Sequence, residues 1–370
     1  MKVRPLLAAL TLFTFLSSLF SQTVQPPFPV KRAESADFWR LDGWSALERA
    51  KRQRIRSGPA KNVILFIGDG MGVSTLTAAR IFEGQRRGDS GEENRLSFEE
   101  FPFTALSKTY SANQQTSDSA PTMSAMVTGV KTDEGTISVN QNIVHADYRT
   151  VAGNETRTLL EYAEESGRST GVVTTTRLTH ATPAACYAHT ADRDWESDYD
   201  MKRLGDANVR GGNTEIAKRD LNAFGAKFPD IARQLIEFKY GDGLEVAFGA
   251  GRNKFIPDTK PDPVFPNQRG ERTDGRDLTQ EWTAKHPNSK VIYNKQQLAA
   301  IDPKKAKHVL GLFATENMQY EADRLAKQPD EPSLTEMTTR AIDIVSQNKK
   351  GFFLMVEGGR IDQAHHEGNA

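Results

Sequence analysis

Three short runs do most to limit what this 370-residue chain can fold into. VILFI at 63–67 is apolar throughout and is bounded by Gly68 and Gly70, which suits a buried parallel strand ending in a loop. STGVVTTT at 169–176 and GFFLMVEGG at 351–359 have the same form. Each of these two follows a helical stretch, TRTLLEYAEESG (156–167) and LTEMTTRAIDIVSQNKKG (334–351), in which glycine marks the end of the helix. Repeated helix-then-strand units predict an α/β fold, a largely parallel central sheet flanked by helices on both faces.

Composition adds exclusions. With 37% hydrophobic and 26% charged residues the chain is globular, and its 48 basic side chains balance 48 acidic ones. No field of one sign invites a nucleic acid, so no nucleic-acid partner is expected. Lys2 and Arg4 precede an apolar run from Leu6 to Phe20, which ends in Ser21-Gln22. This is the pattern of a secretory signal over residues 1–21, and the run is short of the ~20 apolar residues of a spanning helix. Export to a periplasmic or extracellular location is expected, with no stable membrane insertion after cleavage. A Pro-rich arm and a surface helix fill 22–60, and one domain fills 61–370. The single cysteine, Cys186, cannot form an intramolecular disulfide. Two polar, turn-rich stretches, 194–215 and 255–277, suggest surface excursions.

Ligands of open α/β sheets bind beyond the carboxyl ends of the strands. Asp69, His180 with Thr182, and Glu357 stand at those three ends. Oxygen donors suit Mg2+, and Zn2+ accepts both oxygen and imidazole. Asp362 and His366 are four residues apart, so a helix would put them on one face and turn His365 away. Ser119, ahead of Ala120-Pro121, is expected to be the N-cap of a short helix closed near Gly129. A helix start attracts phosphate, and a serine polarised there by a metal can become a nucleophile.

The segments FIGDGMG (66–72), SDSAPTMSAMVTGVKT (117–132), VVTTTRLTHATPAACYAHTADR (172–193) and GFFLMVEGGRIDQAHHEG (351–368) resemble, in order, the signature segments of alkaline phosphatases. The resemblance runs from about residue 60 to 370 and is closer to animal members than to the enterobacterial one. It implies a phosphoric monoester hydrolase acting on small-molecule phosphomonoesters through a phosphoserine, with two Zn2+ and one Mg2+, and a homodimer. Residue by residue, Ser119 matches the nucleophile, and Asp118 and Ala120 its neighbours, whose backbone helps orient phosphate. Arg193 matches the arginine that grips two phosphate oxygens, and Asp69 the carboxylate bridging Mg2+ and one Zn2+. Thr182 and Glu357 match further Mg2+ ligands, and Asp362 and His366 two ligands of the other Zn2+. His180, an Asp in the enterobacterial enzyme, would hydrogen-bond water on the Mg2+. Gln363 replaces a Lys or His that reaches phosphate through water, and Ala314 replaces an acidic calcium ligand, so calcium is not expected. In the family the remaining zinc ligands come from segments after the one where this sequence stops. The resemblance therefore implies a C-terminally truncated chain with incomplete zinc sites, and leaves a non-catalytic metal- or phosphate-binding remnant as the alternative.

Overall fold

The computed structural model describes residues 35–52 and 58–369. The signal read at 1–21 and most of the Pro-rich arm lie outside them. In order, the elements are α1 (Ala36–Arg52), β1 (Val63–Gly68), α2 (Val73–Arg87), α3 (Ser119–Thr128), α4 (Leu159–Glu165), β2 (Ser169–Arg177), α5 (Ala181–Ala184), α6 (Asp198–Leu204), α7 (Thr214–Gly225), α8 (Ile231–Ile236), β3 (Val246–Ala250), α9 (Leu278–Lys285), β4 (Lys290–Ile292), α10 (Lys295–Ala299), β5 (Val309–Leu312), α11 (Glu321–Lys327), α12 (Leu334–Val345), β6 (Phe352–Gly358) and α13 (Arg360–His366). Helix α1 and Leu76–Pro102 belong to one compact unit, in which Arg80 pairs with Glu99 at 3.2 Å. Residues 58–75 and 103–369 form the other, which holds the sheet.

All six strands among the described residues are parallel, in the order β1-β6-β2-β3-β5-β4. The three runs singled out above are therefore neighbours, with β6 between β1 and β2. Register aligns Ile67 and Thr174 with Glu357 on either side. Side chains of a strand alternate between faces, and this alternation sorts the core. Phe353 and Met355 join Val172, Ala247 and Leu310 beneath α3, α4, α5, α8 and α9. Phe352, Leu354 and Val356 join Val173, Val246 and Phe248 beneath α12. Helices thus cover both faces, as a parallel sheet requires.

Local chemistry explains where the helices begin. Thr158 and Ser333 each accept the N–H three residues on, while Glu161 and Glu336 reach back to the cap, which satisfies donors the helix itself cannot. Helix α12 ends at Val345, so Gly351 belongs to the turn into β6 rather than to the helix end expected from the sequence.

Two further expectations change. β1 pairs only with β6 among the described strands, and Val63 and Phe66 are 41% and 59% exposed. An apolar run records that a strand forms, not that both its sides are covered. The stretches 194–215 and 255–277 are not surface excursions throughout: Trp195, Ser197, Met201, Phe255 and Arg272 are buried. Their charges go inside as pairs. Arg272 holds Asp230 at 2.9 Å and also Asp274, and Arg252 donates to Asp262 at 2.6 Å and 2.9 Å. A buried ion is tolerated when paired and hydrogen-bonded, so charge content alone misplaced these segments.

Near the amino ends of the central strands, Glu164 is buried and receives the Thr170 hydroxyl. Burial, then the neighbouring Glu245, pushes its carboxyl up to about 9. A carboxyl raised in the fold favours folding while protonated and loses that advantage as pH climbs through its folded pKa. Glu164→Gln should therefore melt close to wild type near pH 4, and progressively above it as pH rises from 5 to 9, measured by thermal denaturation. A gap that does not widen with pH would count against this reading.

Candidate active site

The site grows from the start of α3. The N-cap is Asp118, not Ser119: its backbone is extended, and its side chain accepts the Ala120 N–H at 2.6 Å. Asp and Ser both suit an N-cap, and the carboxylate also complements the positive helix end. The consequence falls on Ser119, which becomes the first helical residue with its hydroxyl free of capping. That hydroxyl donates to Asp69, at 3.0 Å from Oδ1 and 3.1 Å from Oδ2. The neighbouring amides are already engaged, Ala120 with Asp118 and Asp118 with Glu134 at 3.1 Å, and Pro121 has none. The helix closes at Gly129, as the sequence predicts.

Asp69 follows β1 directly, and Gly70 then turns the chain in the left-handed region at φ +63°. Only glycine fits there, because a Cβ would lie 2.6 Å from Asp362 Oδ1 and 2.9 Å from Asp362 Cα. The close approach brings the first turn of α13 against the β1 exit loop. On α13, His366 Nε2 lies 3.4 Å from Asp362 Oδ2, while His365 turns away to Thr75 Oγ1 at 3.0 Å. The i, i+4 geometry read from sequence holds. Gln363 accepts from Arg360, whose guanidinium stacks on Tyr320 at 3.8 Å.

Glu357, near the carboxyl end of β6, is fully buried. One oxygen accepts from Thr174 and, at 3.3 Å, from Thr176; the other has no partner. Donor atoms of Asp69, His180 and Glu357 all lie within 4.8 Å of one another. Arg193 completes the wall, with Nη1 3.3 Å from Asp118 Oδ1 and Nη2 3.2 Å from His180 Nε2. Asp69, Asp118, Ser119, His180, Thr182, Arg193, Asp362, Gln363 and His366 line one cleft of about 790 Å³, with Glu357 beside it. The structure thus brings every sequence-derived candidate to one place. Thr174 and Thr176 were not singled out from sequence, although their hydroxyls alternate along β2 on the side that meets Glu357.

The electrostatics fit a cation. Burial, then Asp69, pushes the Glu357 carboxyl up to about 7, although the Thr174 and Thr176 hydroxyls hydrogen-bond its charged form. Burial, then Asp362, raises Asp69. Burial, then Arg193, lowers His180 to about 3, so it is a neutral imidazole able to donate a lone pair. Crowded carboxylates, an oxygen without a partner and a neutral imidazole are what a divalent cation would satisfy. Ala314 is buried against the β3–β5 side of the sheet, away from this cluster.

Residues 60–370 match the sequence profile of a family described as alkaline phosphatase. The chain is 43% identical over 347 residues to the human tissue-nonspecific isozyme of alkaline phosphatase, an alignment covering 92% of this chain and 62% of that one. It is 41% identical over 363 residues to the Gallus gallus tissue-nonspecific isozyme, covering 96% and 66%. A membrane-bound alkaline phosphatase of Bombyx mori is 42% identical over 349 residues, covering 91% and 60%. The chain therefore spans less than two thirds of the length of these relatives. Among solved structures, the Thermus thermophilus alkaline phosphatase superposes with a TM-score of 0.62 at 27% identity, covering 87% of this chain and 54% of that one.

Replacing one carboxylate of the cluster separates its two roles. At pH 8 and with a chelator present, Glu357→Gln should melt no lower than wild type, because a neutral amide relieves the crowding. On adding divalent cation it should gain less, since a ligand is lost. Thermal melts with and without cation check both; equal gains in the two proteins would remove Glu357 from the cation site.

Proposed function

The chain belongs to the alkaline phosphatase family, and from that premise we propose that the protein hydrolyses phosphate monoesters through a phosphoserine at Ser119, releasing an alcohol and then inorganic phosphate. The observation that carries this reading is the Ser119 hydroxyl, at the start of α3, held by Asp69 and facing a cleft that Arg193 also lines. Donation to Asp69 keeps the hydroxyl proton on the carboxylate side and leaves an oxygen lone pair for phosphorus. Arg193, already anchored through Asp118, offers planar N–H donors to two oxygens of the phosphoryl group. The unengaged Ser119 N–H at the positive helix end offers another. The Ser119 oxygen would bond to phosphorus as the ester oxygen departs and takes up a proton. Water then cleaves the phosphoserine, which restores the serine.

The donor sets favour particular ions. Asp69, Thr182 and Glu357, an oxygen-rich set, would hold Mg2+, with His180 beside them as a further polar group. One Zn2+ would share Asp69, and the other would take Asp362 and His366, where imidazole joins carboxylate. When bound, such cations lower the pKa of a serine hydroxyl and of attacking water and balance charge on the leaving oxygen. Gln363, whose side-chain oxygen accepts from Arg360, would be a neutral polar neighbour of bound phosphate, and product release would depend on it. Small-molecule phosphomonoesters are the proposed substrates, with export by the 1–21 segment and a homodimer as its setting. No described helix is long and apolar enough to cross a membrane.

Turnover of p-nitrophenyl phosphate with Zn2+ and Mg2+ tests the reading. Ser119→Ala should reduce it by at least ~10³-fold, as expected when a nucleophile is lost. Phosphate binding with no turnover in the wild type would instead support the non-catalytic alternative. Arg193→Ala should raise the inhibition constant of inorganic phosphate by roughly 10–100-fold, the value of a charge-assisted bidentate contact, with residual turnover. An unchanged constant would remove Arg193 from the phosphate grip.

A further inference from the structure

Residues 133–137, which follow α3, have no part in the mechanism above, yet they touch both components of the phosphate grip. Glu134 accepts the Asp118 N–H, at 3.1 Å with Oε1 and 3.3 Å with Oε2, and its Oε2 also receives the Ser117 hydroxyl at 3.3 Å. Gly135 donates its N–H to Asp118 Oδ2 at 3.1 Å, and its carbonyl accepts the Arg193 N–H at 2.8 Å. Two residues further on, Ile137 and Thr190 exchange backbone hydrogen bonds at 3.0 Å each. One dipeptide therefore binds the cap residue of the nucleophile helix on one side and the backbone of Arg193 on the other.

Gly135 sits at φ +74°, and a Cβ there would lie 2.8 Å from His145 Nε2, so the turn that makes both contacts needs glycine. Glu134 lines the same cleft as Ser119 and Arg193. A carboxylate there repels the phosphate dianion the cleft is proposed to hold, so its placement calls for a compensating role. Its hydrogen bonds point to one. They fix Asp118, and Asp118 in turn fixes the start of α3 and one nitrogen of Arg193.

We propose that Glu134 and Gly135 are positioning residues, a clip that sets the Ser119 hydroxyl and the Arg193 guanidinium at the spacing needed to meet one phosphoryl group. The proposal rests on the phosphatase reading. Holding reacting groups at the right separation matters because small misplacements cost rate and affinity.

Amide hydrogen exchange reads the clip without any ligand. Glu134→Ala should speed exchange in the 115–123 segment and, through Gly135, in the 189–196 segment. In the cation-loaded protein it should weaken inorganic phosphate by roughly 5–10-fold, the worth of one hydrogen bond. In an Arg193→Ala background the same change should cost less than about 2-fold, because groups acting as a unit are not additive. Glu134→Gln, which keeps an oxygen acceptor, should recover most of the affinity. Faster exchange confined to 115–123, tighter phosphate binding in Glu134→Ala, or additive losses would overturn the clip while leaving wild-type turnover intact. A wild type that neither binds phosphate nor hydrolyses the ester would overturn the phosphatase reading and the clip's purpose with it.

Discussion

The arrangement at the carboxyl end of the sheet depends on one electrostatic constraint: Glu357 is a carboxylate buried beside a second carboxylate, Asp69, with one oxygen lacking a partner. Proteins do not keep such a group charged in their interior without compensation. Threonine hydroxyls from β2 supply part of it, since Thr174 and Thr176 both donate to the same oxygen. The unpartnered oxygen, together with Asp69 and the neutral His180, leaves a set of donors suited to a divalent cation. The Ser119 hydroxyl bonds to the same Asp69, so the group that would hold the cation also orients that hydroxyl.

Parallel pairing is what makes this possible. β6 between β1 and β2 places the exits of three strands side by side, and each exit carries one donor. The helices that follow add the rest: α3 brings Ser119, α5 brings Thr182, and α13 brings Asp362 and His366. The Gly70 turn lets α13 approach closely enough to join them. Away from the site the protein handles charge differently. Arg252 and Arg272 are buried with carboxylates of their own, so segments rich in Asp and Arg pack inside rather than loop outside.

The contrast between these two charge environments bears on function. Around Arg272 the carboxylates of Asp198, Asp230 and Asp274 share one guanidinium, which pairs with each of them. At Glu357 and Asp69 the nearby internal cation is Arg193, which is occupied with Asp118 and His180. An unpartnered carboxylate oxygen and a neutral imidazole, beside a serine hydroxyl that faces a cleft, set the Glu357 cluster apart from that ion-pair network.

The sequence by itself determined the α/β class, the three strands that carry the site, and the shared face of Asp362 and His366. It could do so because those features are local: an apolar run with its glycine, a spacing of four on a helix, a motif of contiguous residues. It did not reveal β3, β4 and β5, which are only three to five residues long. Tertiary structure alone decided that β6 lies between β1 and β2, that Asp118 rather than Ser119 caps α3, and that Glu134 ties Asp118 to the Arg193 segment. Each of these is settled by partners far apart in the chain or by which of two adjacent polar residues starts the helix. Spacing along a sequence carries no record of which competitor wins.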